Sequence, residues 1–208
     1  VASIEVDEMI KAIIFDFGGV VYKDVMKFLY EKTGEKFHIE PKLVKKKSKP
    51  LLMEWQKNKI SSEEFWKQLA SRLKISDSNS LKEIWDKTFI EHSLPNEKTI
   101  EIVKKLKMRG YKVAALSNIA EPHATYHRKK KHYEIFPQVF LSFELGMAKP
   151  EKEIYEYAAR MMDVGFEECV FIDDDEVNLE TAKKLGMKTI LFQSPEQLKK
   201  DLKKLGVL

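Results

Sequence analysis

The spacing of short apolar runs constrains this chain more than any other feature. Five runs read as buried strands: Lys11–Phe15, Tyr111–Leu116, Gln138–Leu141, Cys169–Ile172 and Met187–Phe192. A strand covered on both faces is apolar almost throughout instead of alternating. Helical patterns fill the intervals between the last four runs. From Asn96 to Arg109, Ile100, Val103 and Leu106 share one face, with Asn96 placed to cap the start and Gly110 the end. Pro150–Met162 carries Ile154, Tyr157, Ala158 and Met161 at helical spacing, Asp175–Leu185 stops at Gly186, and Pro195 opens a last helix with Leu198, Leu202 and Leu205 on one side. Strand and helix in alternation call for a parallel sheet between helical layers, an α/β fold, because parallel neighbours must be joined by a crossover.

One interval breaks this rhythm. Roughly 95 residues separate the first run from the second, far too many for a single crossover. The interval is helical in character. Ser61-x-x-Glu64 and Ser80-x-x-Glu83 both have the form of a capping box. The first precedes Phe65, Trp66, Leu69 and Leu73, and the second precedes Ile84, Trp85, Thr88 and Phe89. Residues 22–94 therefore read as a helical insertion, a second small domain, with 1–21 and 95–208 forming the α/β core. Trp55, Trp66 and Trp85 are expected inside the insertion.

With 43% hydrophobic residues the chain can bury a sizeable core, which excludes wholesale disorder. The net charge of +4 is modest. Two basic runs, Lys45-Lys46-Lys47-Ser48-Lys49 and His127-Arg128-Lys129-Lys130-Lys131-His132, lack regularly spaced stacking aromatics, so they read as solvated faces and nucleic acid is not expected as a partner. The single cysteine, Cys169, lies in an apolar run and reads as core; without a disulfide framework, a reducing, cytoplasmic location is expected. No apolar stretch approaches the ~18 residues that span a membrane. The first ten residues lack the basic start and apolar segment of a signal peptide. Met9 would make a natural start, which leaves open whether the first eight residues belong to the native chain.

The chemistry gathers at the strand ends. Asp16 follows the first strand, in Ile13-Ile14-Phe15-Asp16-Phe17-Gly18-Gly19-Val20-Val21; Ser117-Asn118 follows the second; Asp173-Asp174-Asp175 follows the fourth. Open parallel sheets bind ligands beyond the carboxyl ends of their strands, where the strand order reverses. A lone Asp after a strand is ordinarily a turn residue or a helix cap, but polar groups at three strand ends point to a site. Clustered carboxylates repel and call for a cation, and Asp oxygens suit a hard divalent ion such as magnesium, which also binds substrate phosphate. Gly18-Gly19 would let backbone amides approach phosphate oxygens. Lys149, at a helix start in Gly146-Met147-Ala148-Lys149-Pro150, would serve an anion with both its ammonium and the helix dipole.

Taken together, Asp16-Phe17-Gly18-Gly19-Val20, Leu116-Ser117-Asn118, Lys149-Pro150 with Ile154-Tyr155, and Ile172-Asp173-Asp174 with Asn178 and Leu185-Gly186-Met187 resemble the four ordered motifs of the haloacid-dehalogenase-like hydrolases. The resemblance covers roughly Lys11 to Phe192, although the insertion matches only in place and helical character. It implies a Rossmann-like five-stranded parallel sheet of order 3-2-1-4-5, helices on both faces, and an inserted helical cap that closes over the site and selects substrate. It also implies a magnesium-dependent phosphatase of small phosphorylated metabolites, as a monomer or homodimer. In that reading Asp16 is the nucleophile that forms an aspartyl-phosphate, Ser117 and Asn118 bind the phosphoryl group with Gly18 and Gly19, and Lys149 steadies Asp16 and the phosphoryl charge. An Asp16 oxygen, the Gly18 carbonyl and Asp174 hold Mg2+, while Asp173 and Asn178 orient the loop from behind and Asp175 caps the following helix. One position departs from the family pattern: Gly18 stands where phosphatases of this family generally carry a general acid–base Asp. A metal-independent 2-haloacid dehalogenase or a catalytically weak binding protein are the alternatives. His123 and His127 could reach the site, but surface positions are expected for both.

Overall fold

The computed structural model describes residues 9–208, so the status of the first eight lies outside it. Five parallel strands, β1 (Ala12–Phe15), β2 (Lys112–Ser117), β3 (Gln138–Leu141), β4 (Cys169–Asp173) and β5 (Lys188–Leu191), form one sheet in the order β3-β2-β1-β4-β5. This is the order 3-2-1-4-5. Among the described residues the helices are α1 (Met26–Phe37), α2 (Pro41–Gln56), α3 (Ser62–Leu73), α4 (Ser78–His92), α5 (Glu97–Met108), α6 (Glu121–Lys129), α7 (Ser142–Leu145), α8 (Lys152–Met162), α9 (Glu176–Lys184) and α10 (Pro195–Lys204).

Every residue of β1 and β4 is buried, which is why neither run alternates in sequence. Side chains nevertheless alternate between two cores. Ile13, Phe15, Val113, Val170 and Ile172 pack with Val103 and Leu106 of α5 and with Leu198 and Leu202 of α10. Ala12, Ile14, Ala114, Leu116 and Phe171 pack with Ile154, Tyr155 and Ala158 of α8 and with Ala182 of α9. Cys169 is buried in this second core, as its apolar neighbours in sequence required. Full burial of each large aliphatic side chain contributes about 1.5–3 kcal/mol, so both faces of the sheet are firmly clad.

Helices α1–α4 lie between β1 and α5 and share an apolar cluster that includes Leu29, Val44, Leu51, Phe65, Leu69 and Leu81. Trp55, Trp66 and Trp85 are buried there. Trp66 meets Trp85 edge to face at 5.5 Å, and Trp85 Nε1 donates to Thr33 Oγ1 at 2.8 Å. The chain enters and leaves this region side by side: Lys23 N–H donates to the Leu94 carbonyl and Asn96 N–H to the Val21 carbonyl, both at 2.9 Å.

The Ser61–Glu64 capping box forms at the start of α3. The one expected at Ser80 does not. Helix α4 begins three residues earlier than that cap would place it, at Ser78, where Asp77 Oδ1 accepts from the amides of Asn79 and Ser80. An ionised carboxylate with two amides in reach outcompetes a hydroxyl, and Ser80 falls inside the first turn. Asn96 does precede α5, but its side-chain amide donates to the Val20 carbonyl at 3.3 Å instead of capping. Lys45, Lys46 and Lys49 are exposed on α2, a solvated face as expected. No helix of the described residues is long and apolar enough to cross a membrane.

Candidate active site

The sheet reverses direction of travel at β1, whose neighbours β2 and β4 lead away on opposite sides. The residues following these three strands therefore share one crevice. Asp16 stays in line with the sheet, its N–H donating to the Ile172 carbonyl at 2.7 Å. This places its carboxylate beside those of Asp173 and Asp174: one oxygen from each lies within 4.8 Å of the others. Ser117 ends β2, buried, on the other flank, and it is no helix cap, since α6 starts from Ala120.

Lys149 joins these carboxylates. It is 2% exposed, and its Nζ donates at 2.7 Å both to Asp16 Oδ1 and to Asp173 Oδ2. Burial disfavours its charge, yet Asp16 and Asp173 together hold its pKa above the usual lysine range. For Asp16, burial is the largest influence and pushes its pKa up; Lys149 pulls it down, while Asp173 and Asp174 push it up further. Phe17 N–H also donates to Asp16 Oδ1, at 2.7 Å, so two donors fix the rotation of that carboxylate. The Lys149 ammonium is thus committed to carboxylates, and α8 begins only at Lys152. Lys149 therefore faces the site as a paired cation and not as part of a helix-terminal anion site.

The two acids after β4 have different fates. Asp173 is fully buried and saturated: its oxygens accept from Lys149 Nζ, from the Asp175 amide at 2.8 Å and from Asn178 Nδ2 at 3.1 Å. Asp174 is only partly covered, with a face open to solvent, and no salt bridge engages it among the described residues. Partial burial, then the nearby Asp173, raises its pKa to about 6. Asp175 caps α9 through the Val177 amide at 3.0 Å.

The glycines also divide. Gly19 has φ +95°, and a Cβ there would come within 2.2 Å of Asp174 Oδ2, so only glycine fits. Its amide, expected to face phosphate, donates instead to the Tyr22 carbonyl at 2.7 Å and closes the turn after β1. Gly18 is unconstrained: its φ is not positive, and a Cβ would meet nothing within 4 Å. Asn118 spends its side chain on structure. Its Nδ2 donates to the Lys149 carbonyl at 2.8 Å and its Oδ1 accepts the Lys149 amide at 2.9 Å, a reciprocal pair that holds the lysine loop.

Both histidines depart from the surface positions expected of them. His127 is 2% exposed, in a nest with Phe17, Tyr22 and Tyr133. Its ring nitrogens contact Ser93 Oγ at 3.3 Å and His132 Nδ1 at 2.8 Å, and burial pushes its pKa down to about 3. His123 is part-buried, stacked on Phe89 at 4.0 Å, and burial lowers its pKa to about 4. Both are neutral near pH 7.

A cavity of about 280 Å³ runs from Asp16, Ser117, Lys149 and Asp174 to the inner ends of the inserted helices. The C-terminal end of α2 is latched to the core beside it. Gln56 Nε2 donates to the Asn118 carbonyl at 3.2 Å, Ser142 Oγ donates to the Gln56 carbonyl at 2.6 Å, and Lys57 pairs with Glu151. Sequence reasoning missed this latch, because its partners are scattered along the chain and belong to no periodic pattern.

Comparison with known proteins agrees with this geometry. The family model of haloacid dehalogenase-like hydrolases matches residues 10–186. A sesquiterpene phosphatase of Aspergillus oryzae is 27% identical over 192 residues, covering 85% of this chain and 87% of the relative. A D-ribitol-5-phosphate phosphatase of Bacteroides thetaiotaomicron is 28% identical over 195 residues, covering 87% and 91%. Among solved structures, a family enzyme from Bacteroides thetaiotaomicron in complex with magnesium and inorganic phosphate superposes with TM-score 0.67 at 23% identity, covering 89% of this chain and 95% of that one. At that identity the likeness speaks for the fold.

Proposed function

Because the chain belongs to the haloacid dehalogenase-like hydrolases, we propose that it is a magnesium-dependent phosphatase of small phosphorylated metabolites, with Asp16 as nucleophile. The observation that carries this reading is Lys149, buried between Asp16 and Asp173 with 2.7 Å contacts to each. A buried ammonium that fixes one carboxylate through one contact and is itself fixed by another suits a site that must present Asp16 ionised and aligned.

In the first step an Asp16 oxygen attacks phosphorus and the bond from phosphorus to the ester oxygen breaks. The departing oxygen takes a proton from solvent. In the second step water attacks phosphorus, the bond to Asp16 breaks, and phosphate leaves with Asp16 restored. In this reading Ser117, at the end of β2, hydrogen-bonds the phosphoryl oxygens, and the Lys149 ammonium offsets their charge. Asn118 positions Lys149 through its backbone.

The residues fit a divalent ion. Three carboxylates lie within reach of one another with a single buried ammonium among them, which leaves excess negative charge. Asp16, the Gly18 carbonyl and Asp174 would hold the ion, with Asp173 and Asn178 orienting the loop. When bound, magnesium supplies positive charge against the phosphoryl oxygens. Residues 22–94 act in this reading as a cap domain over a core of 1–21 and 95–208, supported by their own apolar cluster and by the adjacent entry and exit of the chain.

The test is phosphate release from a panel of phosphorylated metabolites. Activity is expected with magnesium, none with chelator, and none in Asp16→Asn. Halide release from a 2-haloacid without metal would favour carbon–halogen hydrolysis instead.

A further inference from the structure

The cavity has charged groups at Asp16, Lys149, Asp174 and Asp175 and at the exposed Lys23 and Asp24, and an apolar wall on the inserted helices. Above the carboxylates its wall is Leu29, Leu52, Trp55, Trp85 and Phe89, all buried members of the inserted helices' apolar cluster. Two polar side chains that border this wall are engaged elsewhere: Ser93 Oγ contacts His127, and Gln56 Nε2 donates to the Asn118 carbonyl. His123 also borders it, with a buried Nε2 that has no hydrogen-bond partner. A polyol lying against the Leu29–Leu52–Trp55–Trp85–Phe89 wall would give up water contacts that these side chains cannot replace. Flat rings border the wall: Phe89 stacks on His123 with the planes 9° apart, and Trp55 stands edge-on to His123 at 5.4 Å.

At the other end of the same cavity, Gly18 offers no proton to the departing oxygen. A positioned general acid typically contributes about 10²–10⁴-fold, and burial lowers the pKa of His123, which disfavours the imidazolium that such a donor would need. The leaving group must therefore carry its own negative charge well. An apolar, ring-walled chamber and an acid-free site together narrow the substrate.

We infer that the favoured substrate is an aryl phosphate: an aromatic ring system bonded through oxygen to the phosphoryl group, seated between the Trp55–Trp85–Phe89 wall and Asp16. This rests on the phosphatase reading. In the first step the P–O bond breaks and the aryloxide departs as the anion, taking its proton from water after release, so no protein acid is needed. A second fused ring occupies more of the chamber and binds more tightly.

The experiment compares kcat/KM, with magnesium present, for 2-naphthyl, phenyl, cyclohexyl, farnesyl, sugar and acetyl phosphates. Phenol and 2-naphthol are of similar acidity, so their comparison reads ring size. Cyclohexyl phosphate has nearly the shape of phenyl phosphate but a far less acidic alcohol. The expected order is naphthyl above phenyl by at least about tenfold, and phenyl above cyclohexyl, farnesyl and sugar phosphates by roughly 10² or more. In Phe89→Leu the ratio of naphthyl to acetyl phosphate kcat/KM should fall at least about fivefold. A ratio taken within one preparation is insensitive to partial misfolding. Equal or better turnover of sugar or farnesyl phosphates, or no gain from the second ring, overturns the inference while leaving the phosphatase reading intact. No magnesium-dependent hydrolysis of any ester, acetyl phosphate included, overturns both.

Discussion

The crevice at the sheet edge and the interior of the inserted helices are buried by opposite means. At the crevice, the carboxylates of Asp16 and Asp173 and the Lys149 ammonium are held in place by hydrogen bonds, with Asp173 and Lys149 0% and 2% exposed. Within α1–α4 the buried mass is aromatic and aliphatic, and its polar atoms are few and locally paired, as Trp85 is to Thr33. The first region keeps charge out of water by saturating it, whereas the second simply excludes water. Removing one partner from the crevice strands a charge, which costs far more than the contact itself contributed. Trimming the aromatic interior costs surface and volume in proportion. The two regions should thus respond differently to substitution, metal and pH.

The largest expected effect is chemical. Asp16→Asn should abolish turnover, at least about 10³-fold below the parent, because an amide is a poor nucleophile. The protein should stay folded, since removing one of three neighbouring carboxylates relieves repulsion. Turnover within tenfold of the parent would break the assignment. Next comes Lys149→Met, which leaves Asp16 and Asp173 buried without their cation. A loss of about 3–5 kcal/mol of folding stability is expected, read by denaturant unfolding with and without magnesium. A loss below 1 kcal/mol would mean that the pair is not held as a charged cluster.

The metal separates the two acids after β4. Asp174→Asn should weaken magnesium binding by more than Asp173→Asn, whose effect should lie in the 10–100-fold range of an orienting group. Isothermal titration compares them; the reverse order would shift the ligand assignment by one residue. pH offers a related check. Asp174 has its pKa raised from the ordinary 3.8 to about 6, chiefly by partial burial. The metal-free folded state then holds this proton more tightly than the unfolded chain, so ionisation erodes stability as pH rises from about 4 through about 6. The buried histidines act in the opposite sense, losing stability as pH falls below the ordinary histidine range. The clean quantity is therefore a difference: Asp174→Asn should gain in Tm relative to the parent between about pH 4 and 6, then level off, and saturating magnesium should erase the gain.

The smallest effect is the most specific. Gly18→Asp should be tolerated, because a Cβ there meets nothing within 4 Å and the backbone is not left-handed. It should raise turnover of poor leaving groups by up to about 10²-fold and flatten the dependence on leaving-group acidity. The same change at Gly19 should disrupt the site, since the new side chain would collide with Asp174.

The sequence made one region more legible than the other. The strands and the crevice acids follow from apolar runs, three of which end in polar groups, a pattern local enough to read directly; the strand order follows from the family resemblance. The strands of the sheet fall within about one residue of the ranges so read. What stayed hidden depends on partners distant in the chain. His127 sits in a basic run that reads as surface, yet Phe17, Tyr22 and Tyr133 enclose it. Gln56 reaches Asn118 across 62 residues, which no period announces. The capping of α4 was misread because two plausible caps lie three residues apart and the carboxylate prevailed. The amide of Gly19 was assigned to phosphate because the turn that consumes it closes only in three dimensions.

The central claim is that Asp16 carries the phosphoryl group between substrate and water. Without an acid–base group at Gly18, the second step lacks its activator, so the covalent intermediate should accumulate. The direct measurement is acid quenching during turnover of a phosphate ester with magnesium, followed by peptide mass analysis. The prediction is one phosphoryl group on the peptide containing Asp16, appearing as a burst, absent with chelator and absent in Asp16→Asn. Sustained magnesium-dependent turnover with that peptide unmodified, or with the phosphoryl group on another residue, would contradict it.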